Sequence, residues 1–417
     1  MKNKNNEIFN WYLYFFCQLV SNLGNIMQMS VIPLLIWDKT KSGAAMGVIT
    51  GSLSLLYIFV SFFSGLLADK YNRKNILITT DLLNGIIIIF YLILVPAFSL
   101  KSLIILMGLG TIITAFFNSA NSAMFSQIAP RNSIEKANSL FTTGRNSIAI
   151  IAPILGIYIY TKYNFNTLIF INMLSFLISG FLEIFLEVRV IKSTLKEKEK
   201  GYKEVFDFFK VHDVIKDITI LSILLNLIVA PLLGITLIFL IKDGVKMPDT
   251  YIGYLQSLIP IGLILGSTFV YKFGENLNLR KKYLNLIFFQ STLILTFYLF
   301  LGTLYHSHRL IGITFFAGII IFIFIINSTI LIPNTSLLHL VVDNKIKGRY
   351  FTLVSSLKMG LVPVMVAIIG FLLDKVDIKI IAITLVSISF ITQYYFVKSK
   401  KLKLRYYQYL DIFNSPK

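Results

Sequence analysis

The sequence predicts an all-α polytopic membrane protein, with twelve transmembrane helices in two pseudo-symmetric six-helix bundles. Three observations predict it. Of 417 residues, 56% are hydrophobic and only 14% charged, with a mean hydropathy of +0.76, whereas a soluble globular chain carries about 25% charged residues. Twelve apolar runs approach or exceed the ~20 residues needed to cross ~30 Å of hydrocarbon. The six runs before a central polar stretch also share landmarks with the six after it. The same composition excludes a disordered chain, which is polar and poor in aromatics.

The first six runs are Trp11–Trp37, Met46–Ala68, Ile76–Pro96, Ser102–Met124, Leu140–Tyr160 and Leu168–Leu186. The first follows only Lys2 and Lys4, is longer than a signal-peptide core and lacks a small-residue cleavage site, so it is expected to stay as an uncleaved span. The remaining six are Ile218–Ile241, Ile252–Tyr271, Tyr283–Leu304, Leu310–Ile332, Phe351–Leu373 and Ile378–Val397. A β-barrel would show alternating segments of about ten residues instead of long continuous runs. The domains expected are an N-terminal bundle over 1–188, a cytoplasmic linker over 189–216, a C-terminal bundle over 217–398 and a tail over 399–417. Within the linker, Tyr202–Val211 is expected to be an amphipathic helix on the membrane surface.

Net charge is +19, from 39 Lys and Arg against 20 Asp and Glu. With both termini inside, about 28 of the cations fall on cytoplasmic segments and about 9 outside, the bias expected of a membrane protein. The excess is therefore an orientation signal, and no nucleic-acid partner is expected. The lone cysteine, Cys17, permits no intramolecular disulfide. The Ile-, Lys-, Asn- and Phe-rich composition suits an AT-rich bacterial genome, and the cell membrane is the expected location.

The halves echo each other at an offset of roughly 210 residues. Gly65–Lys74 follows span two as Gly274–Lys282 follows span eight, and Lys136 leads into span five as Lys347 leads into span eleven. Two such halves related by an axis along the membrane normal are an arrangement of secondary transporters.

The turn after span two reads Gly65-Leu-Leu-Ala-Asp69-Lys-Tyr-Asn-Arg73-Lys74. Glycine permits close helix approach, the carboxylate suits the positive end of a helix, and the guanidinium fork can hold a carboxylate or carbonyl. The stretch resembles the signature turn of the major facilitator superfamily, matching at Gly65, Leu67, Asp69, Lys70, Arg73 and Lys74. Further stretches resemble its macrolide-efflux-like branch: Cys17-Gln18-Leu-Val-Ser21, Asp38–Ala45, Asp81-Leu-Leu, Asn118–Asn121 and Lys347-Gly-Arg349. That resemblance spans about residues 10–398 and covers multidrug and siderophore exporters alike. Two departures stand out. Span four lacks the arginine common in the superfamily's drug–proton antiporters, and of their span-five motif only Pro153 and Gly156 remain.

Polar residues inside spans are costly and therefore functional suspects. Span one carries Gln18, Ser21, Asn22, Asn25 and Gln28 near one face, and span four carries Asn118 and Asn121; Asn226, Gln256 and Asn327 lie in the second half. They are candidates for lining a substrate cavity, the alternative being interhelical hydrogen bonding. Intramembrane charges are few, and the coupling candidates are Asp81, Arg145, Glu183 and Lys358. Asp81 and Arg145 stand at similar depth and could pair; Asp81 could instead hold Arg73, or cycle a proton. Glu183, near a helix end, is expected to snorkel or pair.

No Walker A sequence, zinc motif or nucleophile elbow is present. The expectation is a transporter and not an enzyme, without cofactor, metal or obligate protein partner, and working with a small-molecule substrate, protons and the bilayer. The resemblance implies export of bulky, largely apolar compounds of drug or macrolide type by alternating access, with Gly65, Asp69, Arg73 and Lys74 as a cytoplasmic gate. A siderophore or other metabolite exporter, or a lysolipid transporter, of the same fold is the alternative.

Overall fold

A computed structural model describes residues 2–68, 71–94, 99–129, 134–187, 203–274, 282–342 and 346–398. Asp69, the first half of the linker and the tail therefore lie outside the described residues. Helices α1 (Lys2–Thr40), α2 (Gly43–Ala68), α3 (Arg73–Leu94), α4 (Leu100–Ile128), α5 (Ile134–Lys162) and α6 (Phe165–Glu183) form the first half. Then come α7 (Lys203–Val211), α8 (Asp213–Leu233), α9 (Ile235–Phe239), α10 (Thr250–Phe273), α11 (Tyr283–Ser307), α12 (Arg309–Val341), α13 (Lys347–Leu373) and α14 (Ile378–Lys398). Among the described residues twelve helical segments are long and apolar enough to cross a membrane, and there is no strand. Helix is what a bilayer demands, because it satisfies every backbone polar group within one segment.

The chain forms two compact units, Met1–Glu197 with Asp249–Ser257, and Lys198–Pro248 with Leu258–Lys417. In the first unit α1 packs on α5 and α6, and α3 on α4 and α6. At the α1–α5 contact the backbones nearly touch: a Cβ on Gly156 would stand 2.6 Å from the Met27 carbonyl oxygen. An aromatic core of Trp11, Tyr14 and Phe141 ties α1 to α5, with Phe125 of α4 against it. In the second unit α11 packs on α12 and α14, and α8 on α13.

One element differs from the expectation. Span seven is not one rod. The helix breaks at Gly234, resumes as α9 and ends in a π-helical turn, Leu240–Gly244. Pro231 lacks an N–H and starts the break, and the Tyr298 hydroxyl donates to the Leu232 carbonyl there. The amphipathic segment is helical as expected: Val205 is buried in a cluster with Ile215, Leu338 and Tyr350 of the second unit, while Phe206 and Val211 stay exposed.

Candidate functional site

The first unit brings together the two acidic candidates that lie far apart in sequence. Asp81 stands two turns into α3 and Glu183 is the last residue of α6, yet they are 1% and 0% exposed and are electrostatic neighbours. Close packing of α3 on α6 makes this possible: a Cβ on Gly180 would lie 3.1 Å from the Leu82 side chain and 3.2 Å from Cβ of Asp81, so a larger residue there would press on α3. From α1, Gln18 Nε2 donates to Glu183 Oε1 at 3.3 Å. Ser179 lies beside Asp81, but its hydroxyl donates to the Cys17 carbonyl at 3.2 Å. Both Asp81 oxygens, Glu183 Oε2 and Gln18 Oε1 find no hydrogen-bond partner among the described residues.

The end of α6 that carries Glu183 is tied down on two sides. Lys74 Nζ donates to the Ile184 carbonyl at 2.7 Å, a favourable place for a cation because carbonyls at a helix C-terminus lack partners. The Asn10 amide pairs with both backbone groups of Glu187. The last residue of the Gly65–Lys74 motif thus holds the helix end beside the acidic site.

Arg145 does not neutralise it. Its side chain is exposed, with the guanidinium 5.9 Å from the centroid of the Phe141 ring, a cation–π geometry. Asp81 pairs with neither Arg145 nor Arg73. Lys358 is half-buried on α13 in the other unit. Glu183 does not snorkel, since it is fully buried on a neutral amide.

The span-one stripe divides. Gln18 and Gln28 are buried in helix contacts, whereas Asn22 and Asn25 are half-buried. Asn172 Nδ2 donates to Gln28 Oε1, and Gln28 Nε2 reaches Met107 Sδ at 3.3 Å. Asn118 donates to the Tyr57 hydroxyl at 3.1 Å, and Asn121 Oδ1 accepts from Tyr14. Gln18, Gln28, Asn118 and Asn121 therefore join helices. Asn25 and Gln28, with Asn84, Thr111 and Asn172, line an internal cavity of about 20 Å³, room for about one water molecule. Asn226 is exposed, and Gln256 and Asn327 are half-buried. Asn172 of α6 is not among the sequence candidates, although an Asn inside a span is as costly in lipid as they are.

A family model described as Major Facilitator Superfamily matches residues 14–359. The uncharacterized MFS-type transporter YfiS of Bacillus subtilis (strain 168) is 26% identical over 170 residues, 40% of this chain and 40% of its own length. A second from the same organism, YkuC, is 22% identical over 175 residues, 42% and 40% respectively. The chain thus spans about two fifths of the length of the curated relatives it matches. Among solved structures, a mutant of the nucleoside transporter NupG has a TM-score of 0.72 at 13% identity, covering 93% of this chain and 99% of that one. A bacterial homologue of the iron transporter ferroportin, in an inward-facing state, has 0.68 at 16% identity, covering 94% and 98%. At these identities the likeness is one of fold.

Proposed function

From the premise that the chain belongs to the Major Facilitator Superfamily, we propose that it exports bulky, largely apolar compounds, of drug or macrolide type, as a proton antiporter. The class is a multi-pass membrane transporter of small molecules. The observation that carries the proton reading is the buried site of Asp81, Glu183 and Gln18, which has two carboxylates and, among the described residues, no cation. An unpaired charge is costly in an apolar interior, and like charges in one site oppose joint ionisation. Such a pair is suited to taking up and releasing a proton as its surroundings open and close. Alternating access is the scheme proposed, with Asn22, Asn25 and Gln256 of the first unit and Asn226 and Asn327 of the second as candidates for substrate contact. Asp69 and Arg73 gate the cytoplasmic side, and Lys74 links that gate to the acidic site through the end of α6. Both termini are read as cytoplasmic, which the charge bias supports, in the cell membrane of a bacterium.

A siderophore or other anionic metabolite is the second reading. The exposed Arg145 guanidinium over Phe141 favours it, as a cation that no described carboxylate of the first unit neutralises.

Expression in a pump-deficient host separates these readings. Drug export predicts lower accumulation of macrolides or dyes, reversed by an uncoupler; accumulation that is the same with and without uncoupler across macrolides, dyes, siderophores and lysolipids would sink the antiport reading. Asp69→Asn is expected to insert normally and abolish export. Normal turnover by that variant removes the gate assignment.

A further inference from the structure

Between α7, the first turns of α8 and the neighbouring turns of α13, the second unit holds a groove of about 380 Å³. That volume falls within the ~300–1,000 Å³ range of small-molecule sites. Its lining changes character along its length. Lys210 and Lys216 stand at one end, and no carboxylate is among the described residues that line the groove. From Lys216 the wall follows one stripe of α8 through Thr219 and Ile220 to Ile223, the i, i+3, i+4, i+7 face of a helix. At 1.5 Å per residue the apolar end lies about 10 Å from the cationic end. Phe206 of α7 and Leu357 of α13 complete the apolar lining. The groove is open: Phe206 is 54% exposed, Ile220 46% and Leu357 40%.

Its position fixes the surroundings. The seventh candidate span begins at Ile215, so Lys216 sits in the first turn of a membrane-crossing helix, where a lysine reaches the headgroup layer and its stem lies against apolar surface. The apolar end runs from there toward hydrocarbon. A soluble anion would meet the lysines but gain nothing from the greasy walls. A neutral apolar compound would fill the walls but leave Lys216 unmatched, Lys210 being already ion-paired with Asp207. Only an amphiphile with an anionic head matches both ends in this order. Lys210 also donates to Asp207 at 2.8 Å, which engages one of its three donors.

We propose that this groove binds an anionic phospholipid, with one acyl chain between Phe206, Ile220 and Leu357 and its phosphate against Lys210 and Lys216. The lipid caps the seam where α7 folds onto α8 and α13, and it is separate from the transported substrate.

Native mass spectrometry of the full-length, delipidated protein in detergent tests this, with phosphatidylglycerol and phosphatidylcholine of identical chains as probes. Retention of phosphatidylglycerol is expected to exceed that of phosphatidylcholine about tenfold, given two lysines at headgroup level. The Lys210→Gln/Lys216→Gln variant should lose that preference. Ile220→Trp, which fills the groove and leaves the lysines in place, should lower retention of both lipids, and Lys375→Gln should change neither. Equal retention of the two lipids by the wild type, or an undiminished preference in the double lysine variant, overturns the proposal. So does displacement of phosphatidylglycerol by equimolar glycerol phosphate, which would make the site one for a soluble anion. Should the double variant not fold, Lys216→Gln and Ile220→Trp carry the same comparison.

Discussion

Asp81→Asn is expected to yield a protein that inserts, folds and is at least as stable as the wild type, yet exports roughly a hundredfold more slowly under a proton gradient, the scale of losing a group that transfers protons. Asn has nearly the shape of Asp. No hydrogen bond is lost, because neither Asp81 oxygen has a partner among the described residues. What goes is a buried ionisable group whose desolvation nothing repays, so the folded state gains while coupling disappears. Glu183→Gln should behave alike, since the amide keeps an acceptor for Gln18 Nε2. The measurement pairs a thermal melt in detergent with proteoliposomes containing a pH-sensitive dye. Wild-type proton movement in both variants removes the acidic site from the mechanism. A sharply lower melting temperature for Asp81→Asn would mean that the carboxylate is held by a partner in the folded protein.

Gly156→Ala is expected to destabilise the first unit, whereas Gly360→Ala is neutral or stabilising. A Cβ at Gly156 would meet the Met27 carbonyl oxygen at 2.6 Å and Met27 Cα at 2.9 Å. Those are backbone atoms, which cannot rotate away as a side-chain tip can, so α1 and α5 must separate. Overpacking of this kind costs about 1–3 kcal/mol, more than the ~1 kcal/mol that Ala gains over Gly in a helix interior. At Gly360 nothing lies within 4 Å of the added carbon, and only the helical gain remains. Opposite shifts in melting temperature are the expected result. Shifts of the same sign and size would show that packing at Gly156 is not what holds α1 to α5.

The spans were legible because each is a long apolar run, and that signal depends only on composition. The break in span seven was not, because the run around Gly234 stays strongly apolar, and only Pro231 hinted at it. The membership of the acidic site was half legible. Asp81 and Glu183 stood out as rare intramembrane charges, but opposite charge suggested Arg145 as a partner. Hydropathy does not fix how a helix is rotated or which neighbour it meets. The real partner of Glu183 is a neutral amide, Gln18, 165 positions away. The same missing information merged the span-one amides into one stripe, when packing on α6 and α4 takes Gln18 and Gln28 and leaves Asn22 and Asn25 half-buried.

Span seven bends as two rods joined at a pin, not as a beam. The pin is Gly234, which carries no side chain to jam against its neighbours, and the Leu232 carbonyl beside it already has its bond from Tyr298. Rotation there stretches few rungs of the helical ladder. The longer rod, α8, is seated on α13 and α14, and the shorter one, α9, is buried along its whole length against α13. Flexural compliance in this helix is thus concentrated at one residue, and stiffness is kept on either side of it.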